Sequence, residues 1–225
     1  SDGVDLDDDT TSIASIITSV DGDILITALS TAAENGFELQ SGSTVESTGT
    51  GLSAATITIN GTADLNGVLV EGTGSAVTSV DGAINITGTG TGTVVDETNG
   101  LNLKDGQISS TGTGTNAATI TITGIGFDDG VYAEDAFNVN SVDGNILIDG
   151  TSSDDDGVDL ASSAIIQSTG TGINAATITI NGTGELDGVN VSDSGSGIRS
   201  VDGQIIINGT GTGTVVDGTH GVNMG

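Results

Sequence analysis

The chain has 225 residues, including 38 Gly and no Pro, Cys or Trp, and its 31 acidic side chains against Lys104 and Arg199 give a formal net charge of −29. Two cationic side chains cannot neutralise a phosphate backbone or an anionic bilayer surface, so nucleic acids and anionic membrane surfaces are excluded as partners; no segment is apolar enough for membrane insertion, and without Cys there is no disulfide framework. The four aromatics (Phe37, Phe127, Tyr132 and Phe137) cannot fill a globular core, yet 34% of the chain is hydrophobic, nearly all of it aliphatic, which calls for a narrow core.

From the first residues onward one motif recurs: Gly, a hydrophobe, any residue, a second apolar residue. It runs through Gly3-Val4-Asp5-Leu6, Gly36-Phe37-Glu38-Leu39, Gly67-Val68-Leu69-Val70 and Gly100-Leu101-Asn102-Leu103. It continues through Gly130-Val131-Tyr132-Ala133, Gly157-Val158-Asp159-Leu160, Gly188-Val189-Asn190-Val191 and Gly221-Val222-Asn223-Met224. The spacings of 33, 31, 33, 30, 27, 31 and 33 residues define about seven coils of about thirty residues. Superimposed on this is a longer unit. Ser-Val-Asp-Gly begins at Ser19, Ser79, Ser141 and Ser200, and Ser-Thr-Gly-Thr-Gly at Ser47, Ser110 and Ser168, in strict alternation. Coil types therefore alternate in pairs.

Each coil holds three short runs of period-two alternation, the mark of strands with one buried face. One precedes the Ser motif (Ile108-Ser109-Ser110), one follows it (Ile57 and Ile59, Ile84 and Ile86), and the third is the Gly-Val-x-Leu run. Asp-Gly, Asn-Gly and Gly-Thr-Gly turns separate them, and no run has a helical period. Three strands and three turns in tandem predict an all-β fold, a right-handed, three-sided parallel β-helix, as one continuous domain over 1–225. Ile57, Ile59, Ile84, Ile86, Ile120, Ile122, Ile146, Ile148, Ile178, Ile180, Ile205 and Ile207 are expected in stacked interior columns. Asp21, Asp81, Asp143 and Asp202 are expected at one corner of alternate coils, about 9.6 Å apart, with Gly49, Gly112 and Gly170 between them.

The pattern carried by Ser110-Thr111-Gly112-Thr113-Gly114, Ala117 to Ile122 and Ser141-Val142-Asp143-Gly144 resembles repeats of large secreted bacterial exoproteins, the filamentous-haemagglutinin-like and autotransporter-passenger adhesins. The resemblance spans nearly the whole chain. It implies a secreted β-helix rod acting as spacer, adhesin or fibre, located outside the cell or on its surface. The implied partners are copies of itself, end to end or laterally, and glycans or a neighbouring cell surface. The chain opens on Ser-Asp-Gly, without a leader, and spans close to a whole number of coils. It therefore reads as a mature product or a segment of a longer chain, with edges open to further stacking.

For a metal, three Asp clusters are candidates: Asp5 with Asp7, Asp8 and Asp9; Asp128 with Asp129; and Asp154, Asp155 and Asp156. Ca²⁺ takes six to eight oxygens, which acidic loops supply, although EF-hand and nonapeptide spacings are absent. The alternative is a set of solvated loops, with no cofactor required. For a ligand, the least regular stretch, Gly126 to Asn140, holds Phe127, Tyr132 and Phe137. Thr56 and Thr58, Thr119 and Thr121, and Thr177 and Thr179 are expected to face outward. Leu25, Leu147 and Ile206 interrupt that array in intervening coils, which speaks against ice binding and leaves room for a lateral contact. The near-identical coils predict no catalytic cleft and no enzyme, with a polysaccharide-binding or -degrading β-helix as the competing reading. His220, lacking a partner His or Cys, is no metal or catalytic residue.

Overall fold

The computed structural model describes residues 2–6, 14–94, 97–214 and 218–225. Among these, almost all regular structure is strand, and the helical turns are three short 3₁₀ segments at Gly51–Ser53, Gly114–Asn116 and Gly172–Asn174. The strands form three parallel sheets in which each strand pairs with its counterparts one coil before and one coil after. Sheet A takes the Gly-Val-x-Leu runs, as in Leu101–Lys104 and Val131–Glu134. Sheet B takes the runs that end on the motif Ser, as in Gln107–Ser110. Sheet C takes the longest strands, as in Ile120–Gly126 and Ile146–Ser152. The chain is a β-solenoid of about seven turns, about 31 residues each.

Register follows from the side-chain period of two, because a slip of one residue would turn every core side chain outward. In sheet C, Ile57, Ile84, Ile120, Ile146 and Ile178 stand in one column, and Ile59, Ile86, Ile122, Ile148 and Ile180 in the next. All ten are at most 1% exposed. Ile205 and Ile207 continue both columns, Ile205 being 39% exposed. Sheet B adds Val45, Val77, Ile108, Val139 and Ile166, and sheet A adds two further columns led by Val68 and Val70. Burial of each such side chain contributes about 1.5–3 kcal/mol, so aliphatic residues make up most of the core, with Phe37 and Phe137 the two buried aromatics.

One departure in the core has a visible compensation. Ala133 occupies the sheet A column held by Leu103 and Leu160 on either side. Phe137, 1% exposed, stands with both leucines and Ala133 around the small apolar gap beside the short side chain.

The corner between sheets C and A explains the Gly-x-Gly texture of the sequence. A Cβ on Gly150 would stand 1.9 Å from the carbonyl oxygen of Gly157, and one on Gly182 would stand 1.7 Å from that of Gly188. The backbones touch there from the second coil onward, where every coil has glycine at this position, while the first coil carries Ala28.

Candidate functional site

The residue before each motif Gly builds an unforeseen feature. Asp2, Asn35, Asn66, Asn99, Asp129, Asp156, Asp187 and His220 lie in successive coils, and the side-chain oxygen of each accepts the backbone N–H of the next. Asn99 Oδ1 accepts from Asp129 at 3.0 Å, Asp129 Oδ1 from Asp156 at 3.1 Å and Asp156 Oδ1 from Asp187 at 2.8 Å. The series starts with Asp2 accepting from Asn35 at 3.0 Å and ends with Asp187 accepting from His220 at 2.6 Å. A buried backbone N–H requires an acceptor, and this ladder supplies one per coil. Its signal was legible: seven of the eight positions are Asp or Asn.

Amide and carboxylate serve equally as acceptors, but they differ in charge. Asn66 and Asn99 carry none, whereas Asp129, Asp156 and Asp187 stack three carboxyls, each 6% exposed or less, about 4.8 Å apart. Asp128 and Asp155 flank them. The Ser152 hydroxyl accepts the N–H of Asp155 at 2.9 Å and of Asp154 at 3.2 Å, which sets the loop.

Beside this stack the outward column of sheet A runs Asp5, Glu38, Leu69, Asn102, Tyr132, Asp159, Asn190, Asn223. Column and stack together enclose a concave site of about 320 Å³ lined by Asn99, Asn102, Asp128, Asp129, Tyr132, Glu134, Asp155 and Asp159. The Tyr132 hydroxyl donates to Glu134 Oε2 at 3.0 Å. Lys104 at the rim pairs with Glu134 at 3.2 Å and with Asp135 at 3.4 Å.

Burial governs the ionisation of the site. It pushes the Asp129 carboxyl well above its ordinary range, and the charges of Asp159, Asp128, Asp155 and Asp156 add to the effect. Burial likewise raises Asp156 and brings Asp159 to about 7, again reinforced by neighbouring carboxylates. Burial and the charge of Glu134 raise the Tyr132 hydroxyl. Like charges this close cannot all ionise in a poorly solvated site without compensation.

Asp129, Asp155 and Asp156 each offer an oxygen within 4.8 Å of the others'. One cation with Ca²⁺–oxygen distances of 2.3–2.6 Å could touch all three. Of the sequence candidates, the structure thus unites Asp128, Asp129, Asp155 and Asp156. Asp154 stands in the adjoining loop without lining the site. Asp5 lies coils away in the column beside Glu38, and Asp7, Asp8 and Asp9 lie outside the described residues.

The aromatic candidates separate. Tyr132 lines the acidic site. Phe137 is a correction: it is a core residue and offers no ligand surface. Phe127 is half-buried on the other side of the C–A corner, beside Ile125 and Ser152. The sequence reading missed Asn99, Asn102, Glu134 and Asp159, which the motif register would have placed beside Tyr132. It also expected near-identical coils, whereas these coils depart from the repeat to build an acidic concave site. His220, expected to lack a partner His or Cys, has a carboxylate neighbour instead, its Nδ1 lying 2.9 Å from Asp187 Oδ1.

The fold defines a class, the β-solenoid repeat proteins. No family model matches the chain, and no match is found among curated proteins or solved structures. No helix of the described residues is long and apolar enough to cross a membrane.

Proposed function

We propose that this chain is a structural segment of an extracellular or cell-surface fibre or adhesin, a rod assembled by coil stacking and without catalysis. The supporting observation is that all three sheets pair in parallel, coil to coil, with a repeated interior. Each coil contacts mainly its neighbours, so length grows by adding coils while cross-section stays fixed. About 4.8 Å per coil gives roughly 34 Å over seven coils. In this reading the acidic stack is where cations modulate the rod, Ca²⁺ being the ion best suited to an all-oxygen set.

The test is a chain carrying the seven coils twice in tandem. Small-angle scattering should show a length increased by roughly 34 Å at constant cross-section. Two independent globules would overturn the rod.

The second reading, a glycan-binding or glycan-cleaving site, draws on one observation: Tyr132 stands between Asn102 and Asp159, an aromatic face flanked by hydrogen-bonding side chains. Release of reducing ends from acidic or neutral polysaccharides, lost in Asp159→Asn, would favour it over the structural reading.

A further inference from the structure

The charge is unevenly distributed over the surface, and sheet C is where it is missing. Its seven strands present three outward side chains each, and eleven of these are Thr, four Asn, five Leu or Ile, and one Asp. In a chain of formal charge −29 the outward strand positions of this face carry one carboxylate, Asp149, to which Asn181 Nδ2 donates at 2.6 Å, while the exposed Asp23, Asp64 and Glu185 stand at the strand ends. Large apolar side chains stand exposed on and beside the face. Leu25 is 69% exposed, Leu29 65% and Ile125 48%, while Leu52 and Ile173, in the 3₁₀ turns at the corner where sheet C begins, are 95% and 103% exposed.

We propose that sheet C is the lateral interface between two copies of this chain, packed face to face with their axes antiparallel about a two-fold axis through the Ile125 coil. The proposal rests on the structural reading above and specifies how rods associate sideways. Three observations select a second copy and this orientation.

The first is area. Seven strands about 4.8 Å apart and seven residues long at about 3.3 Å each cover roughly 780 Å², close to the ~800 Å² per partner of a stable interface. The second is charge. Two strongly acidic molecules approach most readily through the face poorest in carboxylates, and the ~8 Å screening length at physiological salt leaves charge on the other faces little influence. The third is the pattern of residues under the symmetry. A parallel pair would set Asp149 against Asp149. The antiparallel pair sets coil two against coil six and coil three against coil five. It faces Asp149 with the hydroxyl of Thr87, Asn60 with Asn181, Leu25 with Ile206, and Ile125 with itself. It also brings Leu52 of one copy toward Ile173 of the other, the two most exposed large apolar side chains of the described surface.

The experiment uses the intact chain, which contains no Cys. Sedimentation equilibrium should give a dimer that strengthens as salt is raised. Ile125→Glu should weaken it at least tenfold with an unchanged circular dichroism spectrum, because Ile125 points to solvent in the single chain. Thr78→Glu on the outward face of sheet B should leave it intact. Ile125→Cys should cross-link to itself rapidly under mild oxidation, and Thr78→Cys should not. A monomer at high concentration, a dimer indifferent to Ile125→Glu, or equal cross-linking at both positions overturns the proposal. So does a monomer whose sheet C resonances shift with added oligosaccharide, which would assign the face to a sugar. None of these failures alters the scattering length of the tandem chain, so they are distinguishable from failure of the rod.

Discussion

Asp143 Oδ2 accepts the backbone N–H of Gly114, from the coil before, at 2.6 Å, while its Oδ1 stands 2.3 Å from where a Cβ on Gly170, in the coil after, would lie. Asp81 does the same between Gly51 (2.6 Å) and Gly112 (2.3 Å), and Asp202 accepts from Gly172 at 2.8 Å. The turns of Asp81, Asp143 and Asp202 thus cap the Thr-Gly-Thr-Gly turn beneath them, and the side chains of Asp81 and Asp143 occupy the space that makes the next turn glycine. This is the physical origin of the two-coil period.

Asp143→Ala removes the cap from Gly114 and should cost about 1–2 kcal/mol, by analogy with a lost charged hydrogen bond. Asp143→Asn keeps an acceptor and should cost less than half of that. Gly112→Ala drives a methyl into Asp81 and the Val80 carbonyl and should cost about 2 kcal/mol or more. Chemical denaturation of the three variants checks the order.

Phe137→Ala should be among the most damaging single changes, at about 3–5 kcal/mol, because it empties volume that Ala133 already leaves short. The double variant Ala133→Leu with Phe137→Leu should recover part of the loss, since it restores the column set by Leu103 and Leu160. Additive effects in a double-mutant cycle would argue against the compensation.

Stability should fall as pH rises through the interval between the ordinary carboxyl value and about 7. Glu38, half-buried and brought to about 7 chiefly by burial, and Asp159, brought to about 7 by burial and neighbouring carboxylates, both bind protons more tightly folded than unfolded. The folded state then holds more protons across that window, so unfolding free energy decreases with rising pH and levels off above about 7. With Glu38 discounted for solvent screening, the effect is on the order of a few kcal/mol, most of it from Asp159. A thermal melt series at constant ionic strength reads it, and a transition temperature that climbs from pH 5 to 7 would contradict it.

Asp129→Asn keeps the ladder acceptor for Asp156 and removes one buried ionisable group from among the carboxyls of Asp128, Asp155, Asp156 and Asp159. It should raise the melting temperature at neutral pH and shrink any stabilisation by millimolar Ca²⁺. Asp129→Leu, which leaves the Asp156 N–H without its acceptor, should destabilise by about 1–3 kcal/mol. Differential scanning calorimetry with Ca²⁺ and with a chelator separates these outcomes.

The columns of Ile57 and Ile59, the glycine spacing and the alternation of coils were all readable in the sequence, because a solenoid writes its contacts as a period. The Thr-rich outward face was readable for the same reason. The site was only partly so. Asp128, Asp129, Asp155 and Asp156 stood out as runs of acid, but Asn99, Asn102 and Asp159 join them through stacking of separate coils, and no local run announces that. Phe137 misled because an aromatic in an irregular stretch suggests a ligand platform, whereas its role follows from Ala133 four positions earlier.

The most direct test of the structural account is cryo-electron microscopy of the purified chain with and without Ca²⁺. The expected result is thin rods or laterally paired rods with a layer line near 4.8 Å along the long axis. Compact particles without that repeat, able to depolymerise a polysaccharide, would contradict it.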